Sequence, residues 1–287
     1  MRAEQLIGEG NLAEALKALQ DVVRKDPSNA KYRVFLFQLL VVMGNWPRAL
    51  TQLNVAAELD AATLPMVQTY REALQCEALR AQIFAGKRPP VIFGQPQSWT
   101  VMLLEALRLD AEGEHAQADS LRAKALEEAP TTSGSINGTA FEWLADADTR
   151  LGPIIEAVVN GRYYWIPMNR ISRVEIEAPI DLRDVVWMPA TFTWVTGGET
   201  VGLIPTRYDA TEQSSDNGLL MARRTEWRDV AGSETPHGIG QRMFITDVAD
   251  YALMEVREIV LDSVDDSADE ADEADGSADN SSTENNG

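Results

Sequence analysis

The sequence has little of what secreted, membrane-spanning or metal-dependent proteins are built on. Among 287 residues there is one cysteine, Cys76, and there are two histidines, His115 and His237. One thiol cannot close an internal disulfide, so the chain is expected in a reducing compartment, the cytoplasm. Cys76 falls inside a helical run and reads as a buried, inert thiol rather than a nucleophile. The histidines lie far apart, and no acid stands at ligand spacing from either, so no metal site is expected. His115 reads as a solvated turn residue and His237 as a loop residue. The longest apolar stretch, Val34 to Met43, is interrupted by Gln38. It is about half the length that spans a bilayer. No basic segment followed by an apolar one opens the chain, so no signal peptide is expected. A phosphate-cradling loop is also missing. Gly238-Ile239-Gly240-Gln241-Arg242 has glycines but neither a Lys-Ser/Thr pair nor dinucleotide spacing, so no nucleotide cofactor is expected.

Basic charge is scarce too. Forty-five acids face 25 Lys and Arg, a net charge of −20. Half of it sits between Asp262 and Gly287, which carries ten acids and no base. That segment has no aromatic residue and is expected to be a disordered acidic tail. An acidic body repels phosphate, which disfavours nucleic acid as a partner and attraction to an anionic membrane.

What is there is periodic. The first half is rich in Ala, Leu, Gln, Glu and Arg, with apolar residues three or four apart, as in amphipathic helices. Gly10-Asn11-Leu12 with Ala15 recurs as Gly44-Asn45-Trp46 with Ala49, an offset of 34 residues. A third copy stands at Gly113-Glu114-His115 with Ala118, Ala125 and Pro130. A 34-residue period of this pattern is the mark of tetratricopeptide helix pairs. Glycine allows the tight turn between helices, alanine allows their close approach, and Pro27 and Pro130 end the second helix. The copy between them is degenerate: a longer helix over residues 66–85, then Gly86-Lys87-Arg88-Pro89-Pro90 as a breaker.

The reading therefore places a repeat domain at residues 1–130, a polar linker at 131–139, a second domain at 140–261 and the acidic tail at 262–287. The second domain holds five of the seven Trp and several β-branched runs. It is expected to be mainly antiparallel α+β or a small barrel. A short helix is expected at Ile154 to Val159, and strands at Tyr163 to Ile166 and around Arg173 to Glu177. Further strands are expected at Asp184 to Val195, with Pro189 marking an edge or bulge, and at Thr200 to Ile204 after a Gly197-Gly198 hairpin turn. Arg242 to Thr246 and Tyr251 to Leu261 complete the set.

Two clusters bear chemistry. Glu142, Asp146 and Asp148 beside Arg150 could supply paired carboxylates for acid–base work, or could cap helices and pair with Arg150. Gathered in a closed polar pocket they would favour an enzyme; open and solvated, an adaptor. Trp187, Trp194 and Trp227 with Arg183, Arg223 and Arg224 could anchor a protein interface or, less compatibly with the charge, a nucleic acid. They could equally be core aromatics and paired arginines.

Longer stretches carry a resemblance. They include Arg33 to Leu40 (RVFLFQLL), Gly44-Asn45-Trp46, Tyr70 to Leu74 (YREAL), Phe141-Glu142-Trp143 and Arg150 to Pro153 (RLGP). Asn160 to Trp165 (NGRYYW), Leu182 to Ala190 (LRDVVWMPA), Ile204 to Tyr208 (IPTRY) and Gly240-Gln241-Arg242 extend it. With these the chain resembles the ImpE family, also called TagJ, an accessory component of type VI secretion systems, over roughly residues 4–261. The resemblance implies a cytoplasmic, non-enzymatic adaptor. It would bind the small subunit of the contractile sheath through an N-terminal helix and be linked to the ClpV ATPase. It supplies no site residues, so these come from repeat geometry, in which the first helix of each pair lines a concave groove. The inward positions would be Lys31, Val34, Gln38 and Val41 in one repeat and Thr100, Leu103 and Leu107 in another. They form a mostly apolar surface suited to an amphipathic helix.

Overall fold

The computed structural model describes residues 1–262. The expected disorder of the tail falls on residues that lie, but for Asp262, outside the described ones. Seven helices form the first half: α1 (Arg2–Gly8), α2 (Leu12–Lys25), α3 (Ala30–Val42), α4 (Trp46–Leu59), α5 (Leu64–Phe84), α6 (Ser98–Ala111) and α7 (His115–Glu128). Their signals are local. Asn11 caps α2, its side chain accepting from the Glu14 N–H, and Leu12, Ala15, Leu19 and Val23 form its buried stripe. Arg24 and Lys25 sit in its last turn, where cations suit the helix dipole. The repeat landmarks do what the period implies. Gly10, Gly44 and Gly113 take φ of +79°, +67° and +85° in the inter-helix turns, and Ala15, Ala49 and Ala118 are fully buried.

The strands are β1 (Val91–Ile92), β2 (Gly134–Ile136), β3 (Thr139–Phe141), β4 (Leu144–Asp146), β5 (Ile154–Val159), β6 (Arg162–Pro167) and β7 (Ile171–Ile176). They continue as β8 (Trp187–Trp194), β9 (Glu199–Pro205), β10 (Thr225–Arg228), β11 (His237–Gly240), β12 (Met243–Thr246), β13 (Asp250–Ala252) and β14 (Glu258–Leu261). A nine-stranded sheet runs in the order β1-β6-β5-β9-β8-β7-β14-β2-β3, antiparallel except for β1 on β6. The three-stranded sheet β13-β12-β4 and the β10-β11 hairpin complete the half. The large sheet is open, with β1 and β3 at its edges, so of the two expected forms the barrel is not the one adopted.

Four expectations are corrected. Residues 154–159 are not a helix but β5, interior to the large sheet. Ile154 and Val158 pack into the core shared with the helices, and Ile155, Ala157 and Val159 into a second core on the opposite face. A strand covered on both faces loses its polar alternation and cannot be told from a helix by period. Pro189 marks no edge, since β8 lies between β9 and β7. Its ring falls where β7 runs out, and its carbonyl accepts from the Glu177 N–H just beyond that strand, so the missing donor leaves no gap. Residues 251–261 are two strands, in different sheets, with a short 3₁₀ turn at Leu253–Glu255 between them. The polar stretch 131–139 contains β2, which pairs with β14.

The seam between the halves is cross-bonded. Trp187 packs in tilted contact with Tyr70 at 5.7 Å and with Trp46 at 6.1 Å between ring centres. Its indole N–H donates to Glu77 of α5 at 2.8 Å, and Arg207 donates to the Val42 carbonyl at the end of α3 at 2.8 Å.

Candidate functional site

The seam decides what the repeats can offer a partner. Val41 is fully buried, and Thr100, Leu103 and Leu107 are buried too, inside α6. Thr100 Oγ1 donates to the Gln97 carbonyl at 2.7 Å. Val41, Leu103 and Leu107 belong to one core with Ile154, Val158, Trp165 and Trp187 of the sheet. The chain's own second half therefore packs over these positions, although Leu107 also borders a cavity of about 270 Å³ with Ile83, Val101 and Leu104. Gln38 is also buried, its amide donating to the Asp181 carboxylate at 3.3 Å.

An open remnant lies at the N-terminal end of α3. Lys31 is exposed and Val34 half-buried. With Phe35, Gln38, Asp60 and Thr63 they line a cleft of about 240 Å³. Asn29 holds the start of α3 in register, its side chain accepting from the N–H groups of Lys31 and Tyr32. Asp60 caps the 3₁₀ turn on the other wall, accepting from the Ala62 N–H. Beyond the bond from Gln38, Ile180 stands 85% exposed beside Asp181. The cleft thus has an apolar floor, a cation on one side and an anion on the other. Phe35, Asp60 and Thr63 were not legible as lining residues, because they come from different turns that only the fold brings together.

The acidic cluster is neither of the two arrangements expected. Glu142 is exposed and apart from it, but Asp146 and Asp148 are buried, each against a guanidinium. Asp148 pairs with Arg150 at 2.5 Å, and Asp146 pairs with Arg242. Arg242 also pairs with Glu156, which receives Arg80 of α5 at 2.6 Å and the Tyr163 hydroxyl. Tyr208 donates to Asp146 at 3.0 Å, and the Trp165 indole N–H donates to the Tyr163 hydroxyl at 2.8 Å. Sequence reading missed Glu156, Arg80 and Arg242. The one available signal was an acid at the centre of the apolar run Ile154 to Val159, which calls for a buried partner. Every carboxylate oxygen here faces a donor, so the network ties α5 to the sheet as a structural cross-link.

Three guanidiniums, of Arg80, Arg150 and Arg242, directly pair four carboxylates, those of Glu77, Asp146, Asp148 and Glu156. Burial would raise Glu156, but Arg80 and Arg242 outweigh it and hold its carboxyl at about 2. Burial of Asp148 is likewise outweighed, by Arg150 and by backbone N–H groups, and its carboxyl also lies at about 2. For Asp146 burial wins: despite Arg242, and with the Asp148 charge adding to the rise, its carboxyl is pushed up to about 7. The signs are opposite. The two depressed carboxyls stabilise the fold above the ordinary carboxylate range, and that stability is lost as pH falls towards 2. The raised Asp146 favours the fold while protonated, so its contribution is lost as pH rises from about 4 to about 7. Asp146→Asn is therefore expected to gain in melting temperature relative to the parent between pH 4.5 and pH 7. A difference that stays constant across that range in thermal melts would disprove the assignment.

The remaining candidates have partners within the chain. Arg223 donates to the carbonyls of Ile7 and Gly8, and Arg224 pairs with Asp216 and Glu226. Trp187 and Trp194 are core residues, while Trp227 is part-exposed against Tyr208. Cys76 is buried and its thiol pushed up to about 12 by burial, with the charge of Glu77 adding to it. His115 is not fully solvated: it is half-buried, with Nδ1 3.1 Å from Asp110. His237 is not in a loop but begins β11 and is held down at about 4, chiefly by burial. Among the described residues no His, Cys, Asp and Glu group could hold a metal ion, and no helix is long and apolar enough to cross a membrane.

Comparison with known proteins fits this architecture. The tetratricopeptide repeat model matches residues 6–74, and the model described as ImpE protein matches residues 138–260. A curated protein of Pseudomonas aeruginosa, the type VI secretion system accessory component TagJ, is 52% identical over 265 residues, covering 92% of each chain. The chain belongs to the ImpE family. The crystal structure of a Vibrio parahaemolyticus protein superposes with a TM-score of 0.83 at 24% identity, over 92% of this chain and 98% of that one. That neighbour shares the fold of this chain, which pairs a repeat-type helical half with an open, mainly antiparallel sheet half. Family membership and the repeats assign an accessory role that works through protein contacts.

Proposed function

We propose that this ImpE-family chain is a non-enzymatic adaptor of a type VI secretion system. It binds the small subunit of the contractile sheath through a helix of that subunit and links the sheath to the ClpV ATPase. The 52% identity to a type VI accessory component supports the coarse part. The observation that carries the finer part is the cleft at Lys31, Val34 and Phe35, an open surface on the first helix of a repeat. Its lining suits an amphipathic helix, with an apolar anchor on Val34 and Phe35 and charged flanks answering Lys31 and Asp60.

The test uses the full chain and a peptide of the sheath subunit's N-terminal helix, with affinity read by fluorescence polarisation. Val34→Glu places a carboxylate on the cleft floor beside Asp60. It is expected to weaken binding at least about tenfold, the equivalent of roughly 1.4 kcal/mol. Its melting temperature should stay within about 2 °C of the parent, since surface changes usually cost under about 0.5 kcal/mol. Unchanged affinity in a folded variant would remove the cleft as the site.

A further inference from the structure

The cavity of about 270 Å³ that Leu107 borders lies between the end of α5 and α6. Ile83, Pro90, Leu104 and Val101, the last 55% exposed, give it apolar walls. Its charged lining is three cations, Lys87, Arg88 and Arg108, against one acid, Glu105. That bias is local. The α3 cleft sets Lys31 against Asp60, and a cavity of about 290 Å³ beside the end of α7 has Asp146 and no cation in its lining. Arg108 is taken, since it pairs with Glu105 at 2.6 Å and with Glu112. The side chains of Lys87 and Arg88 are exposed, and neither has a partner among the described residues. Their turn is closely specified. The Gly86 N–H donates to the Ile83 carbonyl at 2.8 Å and the Lys87 N–H to the Gln82 carbonyl at 2.9 Å, the two bonds that close a helix end. Gly86 takes a φ of +66°, and a Cβ there would lie 2.5 Å from Ala111 Cβ, so the turn is seated on α6. Pro89 and Pro90 fix φ beyond it. The fold thus sets the backbone of two unpaired cations beside an apolar surface.

Charge and reach select the occupant. Residues 263–287 carry nine acids and no base, seven of them between Asp265 and Asp275. Within that run Ala268-Asp269-Glu270 repeats as Ala271-Asp272-Glu273 and again as Ala274-Asp275. With three residues per turn, such a period sets alanines along one side of a segment and carboxylates along the others. The root of the segment is fixed. The Asp262 N–H donates to the Ser133 carbonyl at 2.9 Å, and the Ser133 hydroxyl donates to the Asp262 carboxylate at 2.7 Å. Ser133 lies five residues past the end of α7, where Glu128 accepts from Ser98, the first residue of α6, at 3.5 Å. Val101 stands about one turn further along α6. These links place the root within about 35 Å of the cavity, and residues 268–275 reach about 20–45 Å from it. We propose that residues 268–275 dock across this cavity of their own chain, alanines against Val101 and Leu104 and carboxylates on Lys87 and Arg88. Exposed ion pairs are individually weak, but the tether makes the encounter intramolecular, at an effective concentration of about millimolar. The site is separate from the α3 cleft and does not depend on the sheath reading.

The experiment uses the full chain with Ser277→Cys bearing a nitroxide, and reads paramagnetic broadening of the valine and leucine methyl resonances. Cys76 is buried with its thiol pushed up to about 12, so the label goes to position 277. The Val101 and Leu104 methyl signals are expected to fall at least about twofold at about 0.01 M salt and to recover at about 1 M, as the screening length drops from about 30 Å to about 3 Å. Val34, on α3, should stay unaffected. Lys87→Ser/Arg88→Ser should abolish the broadening and Lys87→Arg/Arg88→Lys should retain it. Both should keep the parent's melting temperature, since the two side chains are exposed. If the serine variant folds poorly, the salt titration of the labelled parent tests the same pairing. Nitroxide-bearing chains without isotope are also mixed with isotope-labelled chains without nitroxide. Broadening as strong in that mixture would make the occupant the tail of a second copy and overturn docking within one chain. No broadening, broadening that survives about 1 M salt or loss of both cations, or equal broadening at Val34 would overturn the proposal and leave the cavity to a separate acidic partner.

Discussion

Replacing Arg242 with leucine is expected to lower the melting temperature by roughly 6–20 °C. The guanidinium is fully buried and bridges Asp146 and Glu156, and its Nε donates to the Pro205 carbonyl at 2.9 Å. Removing one partner of a buried ion pair costs about 3–5 kcal/mol, because the other charge stays behind without compensation. In a chain of this size each kcal/mol moves the midpoint by about 2–4 °C. Glu156 keeps Arg80, so Asp146 bears most of the loss, and Arg242→Leu/Asp146→Asn should recover part of it. Thermal denaturation followed by circular dichroism measures both. A shift below about 2 °C in the single variant would mean that the network contributes nothing the apolar core does not.

Leu103→Glu is expected to leave no stably folded helical half. Leu103 is 1% exposed, in the core that α6 shares with the sheet. Truncating a buried leucine alone costs about 2–5 kcal/mol, and an unpaired carboxylate adds a desolvation cost of several more. The total rivals the roughly 5–15 kcal/mol by which whole domains are stable. The measurement is solubility and far-ultraviolet circular dichroism beside Val34→Glu, which alters the other groove position but should fold normally. A well-folded Leu103→Glu that merely loses its partner would restore the open groove that repeat geometry alone suggested.

The contrast between these two positions shows how far the sequence reaches. The repeat period reads both as inward-facing on first helices. It cannot say what packs over them, because that is decided by the chain's own second half. Trp187, more than a hundred residues beyond Tyr70 and Trp46, closes the surface over α4 and α5 by packing on them. The same limit explains β5. Its residues are apolar on both faces, and only the presence of two cores, one on each side of the sheet, makes them a strand.

What the sequence alone determined is what neighbours along the chain encode. The Gly and Ala landmarks at 34-residue spacing specified the helix pairs, Gly197-Gly198 specified the hairpin, and the longer stretches from Arg33 to Arg242 identified the family. Turn chemistry and helical period act over a few residues, so they can be read without the fold. What the tertiary structure decided is everything set by distant partners. The acids Asp146 and Asp148 became halves of buried ion pairs, most of the expected groove became core, and the cleft at Val34 remained open. Burial and desolvation are non-local, and they determine which of the residues legible in the sequence remain accessible to a partner.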